Sequence, residues 1–501
     1  MSTGVTILLV AFVIVLIAAL LGYFARSKSM SLEQWAVGGR NIGLFLIWFL
    51  MAGEIYTAFT FLGVPGYAYV YGAPAYYALS YGVLAYALSY FILPKIWRVS
   101  KKRGVVTQPD FFKERYNSRA LGLLVAIVGV VFMVPYLELQ VSAITDILSV
   151  MGYNLILPAY VMIATFAIVA GYVILNGMKS AAFTAFFKDG LALAIIFAAL
   201  IAIPIIKFGG LGPMMSQMQA THSSYLYFQN TPHSLGLTWF VSVVLMSALG
   251  FFMWPHAFQA YISAKSDNVL RKNAVMLPVY NVLLIITVFM GFAALLAYPG
   301  LSNADDSFLV LILGSFPTWA SGVAAGAILL GSMVPASVLL IASSTIISKN
   351  IYRDFVNKKA SDKSITNLSR VFVIIITAIA LLFAIVYPAL FVNLLLLGYS
   401  GITLFFPGMI LGIFWKRATK WGVASGIIAG LIVNAIFFLP LSKYSNIIYP
   451  GLVGLIVDTV VTVAVSVVTS PPPPEIVSQF LEESPGMPSV SSTGTPTTGK
   501  K

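Results

Sequence analysis

Cysteine is absent from the 501 residues, histidine occurs only three times, and charged residues make up only 9% of the chain. The lack of cysteine excludes disulfide frameworks, thiolate metal sites and cysteine nucleophiles. An ordinary soluble domain has roughly 25% charged residues, so this chain carries too little charge to cover its surface in water. A soluble globular protein is therefore excluded, and the 59% hydrophobic content with a mean hydropathy of +0.94 indicates a lipid environment.

Apolar runs of membrane-spanning length recur along the whole chain. Each is long enough to cross roughly 30 Å of hydrocarbon as a helix. The first run has no basic region before it, so we interpret it as a helix rather than a cleaved signal peptide. The sequence predicts an all-α polytopic membrane protein with thirteen transmembrane helices, segments 1 to 13, at 5–24, 43–72, 74–93, 120–148, 157–176, 181–205, 236–260, 274–297, 316–347, 368–388, 393–414, 422–440 and 451–469.

Lysine and arginine are distributed unevenly between the two sides of this predicted bundle. With the N-terminus outside, 26 of the 29 basic residues lie in inner loops or the tail, whereas Lys207 and Lys443 lie outside and Lys188 lies within a span. Basic loops stay cytoplasmic, so we expect a multi-pass protein of the cell membrane with a cytoplasmic C-terminus. The net charge of +13 does not indicate a nucleic-acid partner, because the basic residues are not clustered on a soluble face. Residues 471–501 are rich in Pro, Ser, Thr and Gly, which predicts a disordered cytoplasmic tail.

Helix-breaking residues interrupt segments 2 and 7. Gly63, Pro65 and Gly66 lie in the first, and Gly250 and Pro255 lie in the second. Five helices separate the two segments, an odd number that inverts their direction, so we expect two inverted five-helix repeats. Ordinary kinks are the alternative, because Gly and Pro are common in membrane helices. The predicted organisation is an N-terminal helix and inner loop at 1–42, repeats at 43–205 and 236–414 joined by an outer loop at 206–235, and two peripheral helices at 415–470.

Among the ionisable residues within the predicted spans of the repeats, four are candidates for function. Glu54 lies near mid-membrane just before the predicted break, where its carboxyl could exchange a proton or bind a cation, or serve only as a protonated structural group. His256 follows Pro255 and could donate to a substrate carboxylate, although a packing role is the alternative. Lys188 and Asp189 are neighbours whose side chains should diverge on a helix, so each is expected to need another partner. They are candidates for a gate or relay, or Lys188 extends to the inner surface.

Uncharged polar residues near the two breaks complete the candidate site, which we expect segments 2, 4, 7 and 9 to form. Unwound backbone cannot face lipid, so such residues should line a buried cavity where a solute or ion binds. No HExxH or GxSxG motif occurs, and the sequence predicts neither an enzyme nor a cofactor. The candidate substrate-binding residues are Tyr56, Thr57, Thr60, Gln140, Trp254, His256 and Gln259.

Several stretches of the chain resemble the sodium:solute symporter family. They are EQWAVGGRNIG at 33–43, FLGVPGYAYVYG at 61–72, TQPDFFKERYNSR at 107–119, VPYLELQ at 134–140 and ASSTIISKNIY at 342–352. Others, including AGEIYTAFTF, AFFKDG and MWPH, are similar to the monocarboxylate permease branch. The resemblance implies a LeuT-like fold and ion-coupled uptake of a small monocarboxylate by alternating access. The predicted partners are then a small-molecule substrate and the lipid bilayer, and no protein partner is indicated.

The chain departs from this family at the positions that bind the coupling ion. In sodium-coupled members, two adjacent hydroxyl residues of segment 9 bind the ion together with backbone carbonyls at the segment 2 break. The resemblance places that pair on Val334 and Pro335, whose side chains cannot bind sodium. The sequence therefore leaves the coupling ion open between H+ and Na+, with Na+ bound at a shifted site. The alternative function is a passive uniporter or channel, or a symporter for an amino acid or sugar. The candidate ion-coupling residues are Glu54, Thr57, Ser332 and Ser337.

Overall fold

The computed structural model describes residues 2–25, 31–155, 158–175, 178–229 and 235–481. These residues form helices and connecting turns, and their only strand-like pairing is an isolated parallel bridge between Ile42 and Ala264. Ile42 N–H donates to Ser263 O at 3.2 Å, and Lys265 N–H donates to Ile42 O at 2.9 Å. The bridge joins the start of segment 2 to the end of segment 7, on the side that carries most of the basic residues.

The long helices coincide with the predicted segments. Nine helices in the described part of the chain are long and apolar enough to span a membrane, or eleven if two bent pairs each count as one span. Thirteen spans therefore remain a prediction, because segment 2 is interrupted and segment 5 is not among the eleven. The unbroken segments are Thr3–Ala25 (1), Tyr77–Arg103 (3), Arg119–Val150 (4), Pro158–Leu175 (5), Met178–Phe208 (6), Asp267–Val282 with Leu284–Ala297 (8), Thr318–Ile346 (9), Asp362–Val386 (10), Lys420–Phe438 (12) and Pro450–Val468 (13).

Segment 2 is broken, but earlier than predicted. Its first helix, Leu44–Ala52, is followed by turns at 53–57, a π-helical stretch at Phe59–Gly63 and a second helix at Val64–Tyr71. The predicted break at 63–66 is wrong because Pro65 lies in the first turn of the second helix, where its missing N–H costs little. The consequence is that Glu54 lies inside the unwound turn rather than before it.

Segments 7 and 11 are also broken. Leu237–Met253 and Pro255–Ile262 are bent by 52° at Trp254, as the sequence predicts for segment 7. Segment 11 consists of Phe391–Ile402 and Phe405–Phe414, bent by 44°, and the sequence did not predict this break. Extended backbone at Trp254 separates the halves of segment 7 and directs the following residues to the interior.

Segment 9 is the central helix of the bundle, and its most apolar window is fully buried. Small residues let neighbouring helices approach it closely. A Cβ added at Gly322 would lie 2.6 Å from Val10, and one added at Gly326 would lie 2.9 Å from Ile14, both on segment 1. Segment 1 in turn exposes large apolar side chains on its outer surface, including Phe12 at 62% exposure, as lipid contact requires.

Short helices cover the side with the basic loops. Gln108–Tyr116, here called the connecting helix, lies between segments 3 and 4 and begins with a capping box formed by Thr107 and Asp110. Pro474–Leu481, here called the tail helix, packs on it with Phe480 and Phe111 ring centroids 5.7 Å apart. The predicted disorder of the tail is therefore wrong for this helix, because an apolar side chain is available to bury. Residues 482–501 lie outside the described residues.

Candidate functional site

The two unwound regions of segments 2 and 7 meet through Glu54 and His256. His256 Nε2 lies 2.5 Å from Glu54 Oε2, and the two side chains are only 2% and 9% exposed. Glu54 is in the turn that follows Leu44–Ala52, and His256 is in the first turn of Pro255–Ile262. Residues 202 positions apart in sequence thus form a buried acid–base contact at the junction of the predicted repeats.

Aromatic side chains surround this contact and enclose a small cavity. Trp254 lies between Tyr136 and Tyr399, with ring centroids 5.2 Å away on each side. The Tyr136 hydroxyl donates to the backbone oxygen of Glu54 at 3.1 Å. The remaining space is about that of one water molecule, so a solute must displace side chains in order to bind. The lining residues are Glu54, Phe59, Tyr81, Tyr136, Phe251, Trp254, His256, Ala257, Leu395 and Tyr399.

The cavity is lined by segments 2, 3, 4, 7 and 11, which differs from the predicted set. Segment 9 contributes no lining residue, and the expectation that it would do so is wrong. Tyr81 of segment 3 and Tyr399 of segment 11 were not singled out from the sequence. Aromatic residues make up 14% of the chain, so residue type alone does not separate a cavity wall from ordinary packing.

Three predicted binding residues of segment 2 stabilise the unwound turn instead of lining the cavity. The Tyr56 hydroxyl donates to Tyr280 O at 2.8 Å, and the ring packs against that of Tyr280 at 4.2 Å. The Thr60 hydroxyl donates to Ile55 O at 2.5 Å, and the Thr57 hydroxyl accepts from the Phe59 N–H at 3.1 Å. The two threonine hydroxyls thus satisfy backbone groups of the break, and the Tyr56 hydroxyl joins the turn to segment 8.

The other polar candidates are buried but do not line the cavity. Gln140 and Gln259 are 0% exposed, and their amide groups find no hydrogen-bond partner within the described part of the chain. The Ser332 hydroxyl donates to Ile328 O at 3.2 Å and the Ser337 hydroxyl to Val334 O at 2.6 Å. Both serines are thus bonded within their own helix and not to segment 2.

Lys188 and Asp189 form a fully buried ion pair, contrary to the prediction that they diverge. Lys188 Nζ lies 2.8 Å from Asp189 Oδ1, and both side chains are 0% exposed. Lys188 also donates to Gly53 O at 3.1 Å and to Tyr56 O at 2.8 Å. The expected extension of Lys188 to the inner surface is wrong because the segment 2 break offers two carbonyl oxygens closer at hand.

The connecting helix joins the break of segment 7 to the π-helical stretch Ile347–Val356, which continues segment 9. Asp110 contacts Lys349 and accepts from Asn350 at 2.8 Å, and Gln108 donates to Met253 O, beside the segment 7 break, at 2.7 Å. Burial alone raises the pKa of Asp110, but the charge and hydrogen bond of Lys349, with the Thr107 and Asn350 hydrogen bonds, hold that pKa well below its ordinary value. This carboxylate stays ionised at neutral pH.

Acidic and histidine side chains do not gather into a metal centre within the described ranges. No group of three or more His, Cys, Asp or Glu side chains suited to a metal ion occurs there. An alkali cation would need hydroxyl and carbonyl oxygens instead. The segment 2 break offers carbonyl oxygens next to the cavity. Lys188 already donates to two of them, Gly53 O and Tyr56 O.

Comparison with known proteins places this architecture in a family. The model of the sodium:solute symporter family matches residues 35–430. The uncharacterized symporter YodF of Bacillus subtilis (strain 168) is 38% identical over 466 residues, covering 92% of this chain and 93% of that protein. The monocarboxylate transport permease protein of Rhizobium johnstonii is 32% identical over 408 residues, covering 80% and 81%. The osmoregulated proline transporter OpuE of Bacillus subtilis (strain 168) is 25% identical over 473 residues, covering 90% and 93%.

A solved structure shows the same fold. The substrate-bound, outward-open structure of a Na+-coupled sialic acid symporter superimposes with a TM-score of 0.76 at 17% identity, covering 93% of this chain and 98% of that one. The described helices therefore have a LeuT-like arrangement. The chain belongs to the sodium:solute symporter family and is an ion-coupled, multi-pass membrane symporter.

Proposed function

We propose that the protein moves a small monocarboxylate across the cell membrane together with a coupling cation, by alternating access. The observation that carries the proposal is the contact between Glu54 and His256 at the meeting point of two broken helices. We further propose that the basic loops lie in the cytoplasm and the N-terminus outside, because of the asymmetry of Lys and Arg.

The pairing of Glu54 with His256 suggests how a solute carboxylate couples to a cation. An incoming carboxylate competes with Glu54 for the His256 N–H. Two carboxylates beside one imidazole repel each other unless a proton or a cation joins them. Binding of the anionic solute is then favourable only when a positive charge enters with it, which is the basis of coupling.

The shape of the cavity favours a small solute. Trp254, Tyr136 and Tyr399 supply apolar walls, and the residual space is small. Pyruvate, lactate or acetate requires little side-chain displacement, whereas a sugar requires much more. The monocarboxylate permease from Rhizobium johnstonii, at 32% identity, supports the same substrate class.

Gradient-driven uptake of labelled pyruvate into proteoliposomes tests this proposal. Loss of a hydrogen bond to a charged group costs roughly 1.5–3 kcal/mol, so His256→Ala should weaken apparent pyruvate affinity about 10- to 150-fold. Glu54→Gln should retain exchange of pyruvate across the membrane but lose uphill accumulation.

Glu138→Gln is the matched control for the loss of a buried carboxyl. Glu138 is on segment 4, where it accepts from Ser142 at 2.8 Å, and it does not line the cavity. The control should accumulate pyruvate like the wild type. Full accumulation by Glu54→Gln would refute the coupling role, and wild-type uptake of proline or a sugar in preference to pyruvate would refute the substrate class. Uptake that never exceeds equilibrium would indicate a passive uniporter.

A further inference from the structure

A groove, here called the tail groove, lies between the tail helix and the loop that joins segments 11 and 12. Its volume is about 370 Å³, within the range of roughly 300–1,000 Å³ that is usual for small-ligand pockets. The groove is lined by Lys416 and Arg417 of the loop, by Pro471 and Pro472, and by Val477 and Leu481 of the tail helix. It therefore combines two basic side chains with apolar ones.

The two basic side chains of the tail groove have no acidic partner within the described part of the chain. Arg417 Nη2 donates to Val467 O at 2.8 Å, but Arg417 Nη1 is buried and has no hydrogen-bond partner there. Elsewhere on this side of the bundle basic side chains are paired, as Lys113 is with Asp354 at 2.8 Å. Because a buried donor without an acceptor is unfavourable, the tail groove is complementary to an anion with several oxygen atoms.

The tail groove lies where three membrane segments meet the surface on the side of the basic loops. Segment 11 ends at Phe414, segment 12 begins at Lys420 and segment 13 ends at Val468. Large apolar side chains at these segment ends are uncovered, since Trp421 is 61% exposed and Val468 is 82% exposed. Tryptophan is enriched at the level of the lipid headgroups. The anion that suits this position is therefore one that carries apolar chains.

We propose that the tail groove binds the phosphate of an anionic phospholipid, with Lys416 and Arg417 as its partners and the acyl chains along the ends of segments 12 and 13. A guanidinium group binds phosphate through two parallel N–H donors, and a lysine ammonium adds a second positive charge. The proposed cytoplasmic orientation decides only which leaflet supplies the lipid. The site does not depend on the transported solute.

Lipid binding and docking of the tail helix stabilise each other. Val477 and Leu481 of the tail helix line the groove, and the same helix packs Phe480 against Phe111 of the connecting helix. The tail helix also contacts the inner half of segment 11, Phe405–Phe414. A ligand that binds only the docked arrangement favours it, and docking strengthens binding by the same factor. The lipid therefore holds the tail helix against segment 11.

Native mass spectrometry of the full-length protein in detergent tests the site directly. Dioleoyl phosphatidylglycerol is titrated, and we expect one molecule to bind before any others. Dioleoyl phosphatidylcholine, whose headgroup is neutral overall, should bind at least about tenfold more weakly. Each basic residue near an anionic headgroup contributes about fivefold to binding. Lys416→Gln combined with Arg417→Gln should therefore weaken the first phosphatidylglycerol site about 25-fold.

Lys358→Gln combined with Lys359→Gln is the matched control. These lysines are also neighbours in an inner loop, both are exposed, and neither makes an ion pair among the described residues. The control removes the same charge and should leave the affinity for phosphatidylglycerol unchanged. Equal weakening by the two double variants would overturn the proposal, because the lipid would then be attracted by the positive surface as a whole.

Two additions keep this test decisive. Lys416 is exposed, so Lys416→Gln alone should fold normally and weaken phosphatidylglycerol binding about fivefold, even if the double variant does not fold. Inorganic phosphate should not displace the lipid at equal concentration. Displacement would overturn the proposal, because the groove would then be a site for a free anion.

Limited proteolysis tests the link between the lipid and the tail helix. Phosphatidylglycerol at about ten times its dissociation constant should slow cleavage after residue 473 up to about tenfold in the wild type, and it should have no effect on the Lys416→Gln, Arg417→Gln variant. Phe480→Ala should weaken phosphatidylglycerol binding. Unchanged cleavage in the wild type, or wild-type affinity in Phe480→Ala, would overturn this link. A failure to transport pyruvate would refute the proposed function and leave these measurements unaffected.

Discussion

Replacing Asp110 by Asn should destabilise the protein by disconnecting the connecting helix from segment 9. The Asp110 carboxylate contacts Lys349 and accepts hydrogen bonds from Asn350 Nδ2 at 2.8 Å, Thr107 N at 3.0 Å and Val106 N at 3.1 Å. The amide of Asn keeps one oxygen acceptor but loses the charge and adds an N–H donor. The variant therefore leaves Lys349 without its counter-ion.

The size of the effect follows from burial. The side chain of Asp110 is 4% exposed and that of Lys349 is 13% exposed. Removing one partner of a buried pair costs about 3–5 kcal/mol, and we expect about 3 kcal/mol because Lys349 retains some access to water. The matched control is Asp362→Asn, whose carboxylate is 59% exposed and lies 2.6 Å from Arg353. An exposed pair of this kind contributes roughly 0.2–1 kcal/mol.

Reversible unfolding in mixed detergent and SDS micelles measures both variants. The free energy of unfolding should fall several times more for Asp110→Asn than for Asp362→Asn. Lys349→Met made in the Asp110→Asn background should cost less than Lys349→Met alone, because the pair is already broken. Equal decreases in the free energy of unfolding for Asp110→Asn and Asp362→Asn would refute the role of Asp110 in holding the connecting helix to segment 9. Strictly additive decreases for Asp110→Asn and Lys349→Met in the double variant would refute it as well.

The stabilisation by the contact between Asp110 and Lys349 depends on pH with a definite sign. The pKa of Asp110 is lower in the folded than in the unfolded protein, where it is about 3.9. The contribution of Asp110 to the free energy of unfolding is therefore present above that unfolded-state pKa, and it is lost as the pH falls through the folded-state pKa. Between pH 5 and 8, the difference in unfolding free energy between wild type and Asp110→Asn should therefore stay constant, and a difference that grows steadily over this range would contradict the low pKa.

Two further variants test packing. At Gly66, an added Cβ would lie 2.5 Å from Asp305 Oδ1, so Gly66→Ala should lower the free energy of unfolding by about 1–3 kcal/mol. The control is Gly190→Ala, where an added Cβ has no neighbour within 4 Å. This control should leave the free energy of unfolding unchanged or raise it by up to about 1 kcal/mol. Phe480→Ala should release the tail helix from the connecting helix and speed limited proteolysis after residue 473, whereas Ser478→Ala should not. Equal proteolysis of the two tail variants would contradict the docking of Phe480.

Much of the fold was predictable because the bilayer restricts what a chain can do. Hydrocarbon cannot satisfy backbone N–H and C=O groups, so long apolar runs must become helices, and the order of these helices can be read along the chain. The break of segment 7 was also predictable, because Gly250 and Pro255 disrupt helical hydrogen bonding locally. The bend of segment 11 was not predicted, although Pro407 lies in its second helix, and the break of segment 2 was placed too late because Pro65 begins a helix instead of ending one.

The candidate site was predictable only in part. Glu54 and His256 could be singled out because ionisable groups inside a membrane are costly and need a reason to be there. The side chains that line the cavity with them, such as Tyr81 and Tyr399, belong to segments that carry no such signal. Lys188 was noticed for its charge, but its partners at Gly53 and Tyr56 are backbone oxygens, which leave no trace in residue type.

The amino-acid sequence by itself determined that this protein resides in lipid, that it is built of helices, and that a few charged groups such as Lys188 and Asp189 are placed inside the bundle. Each of these depends on composition and on hydrogen bonding within one segment. Tertiary structure alone decided that Glu54 meets His256 and that Lys188 binds the carbonyls of the segment 2 break. Those contacts join residues more than 130 positions apart, and they exist only because close packing of several helices sets where segment 2 unwinds and which way its free carbonyls point.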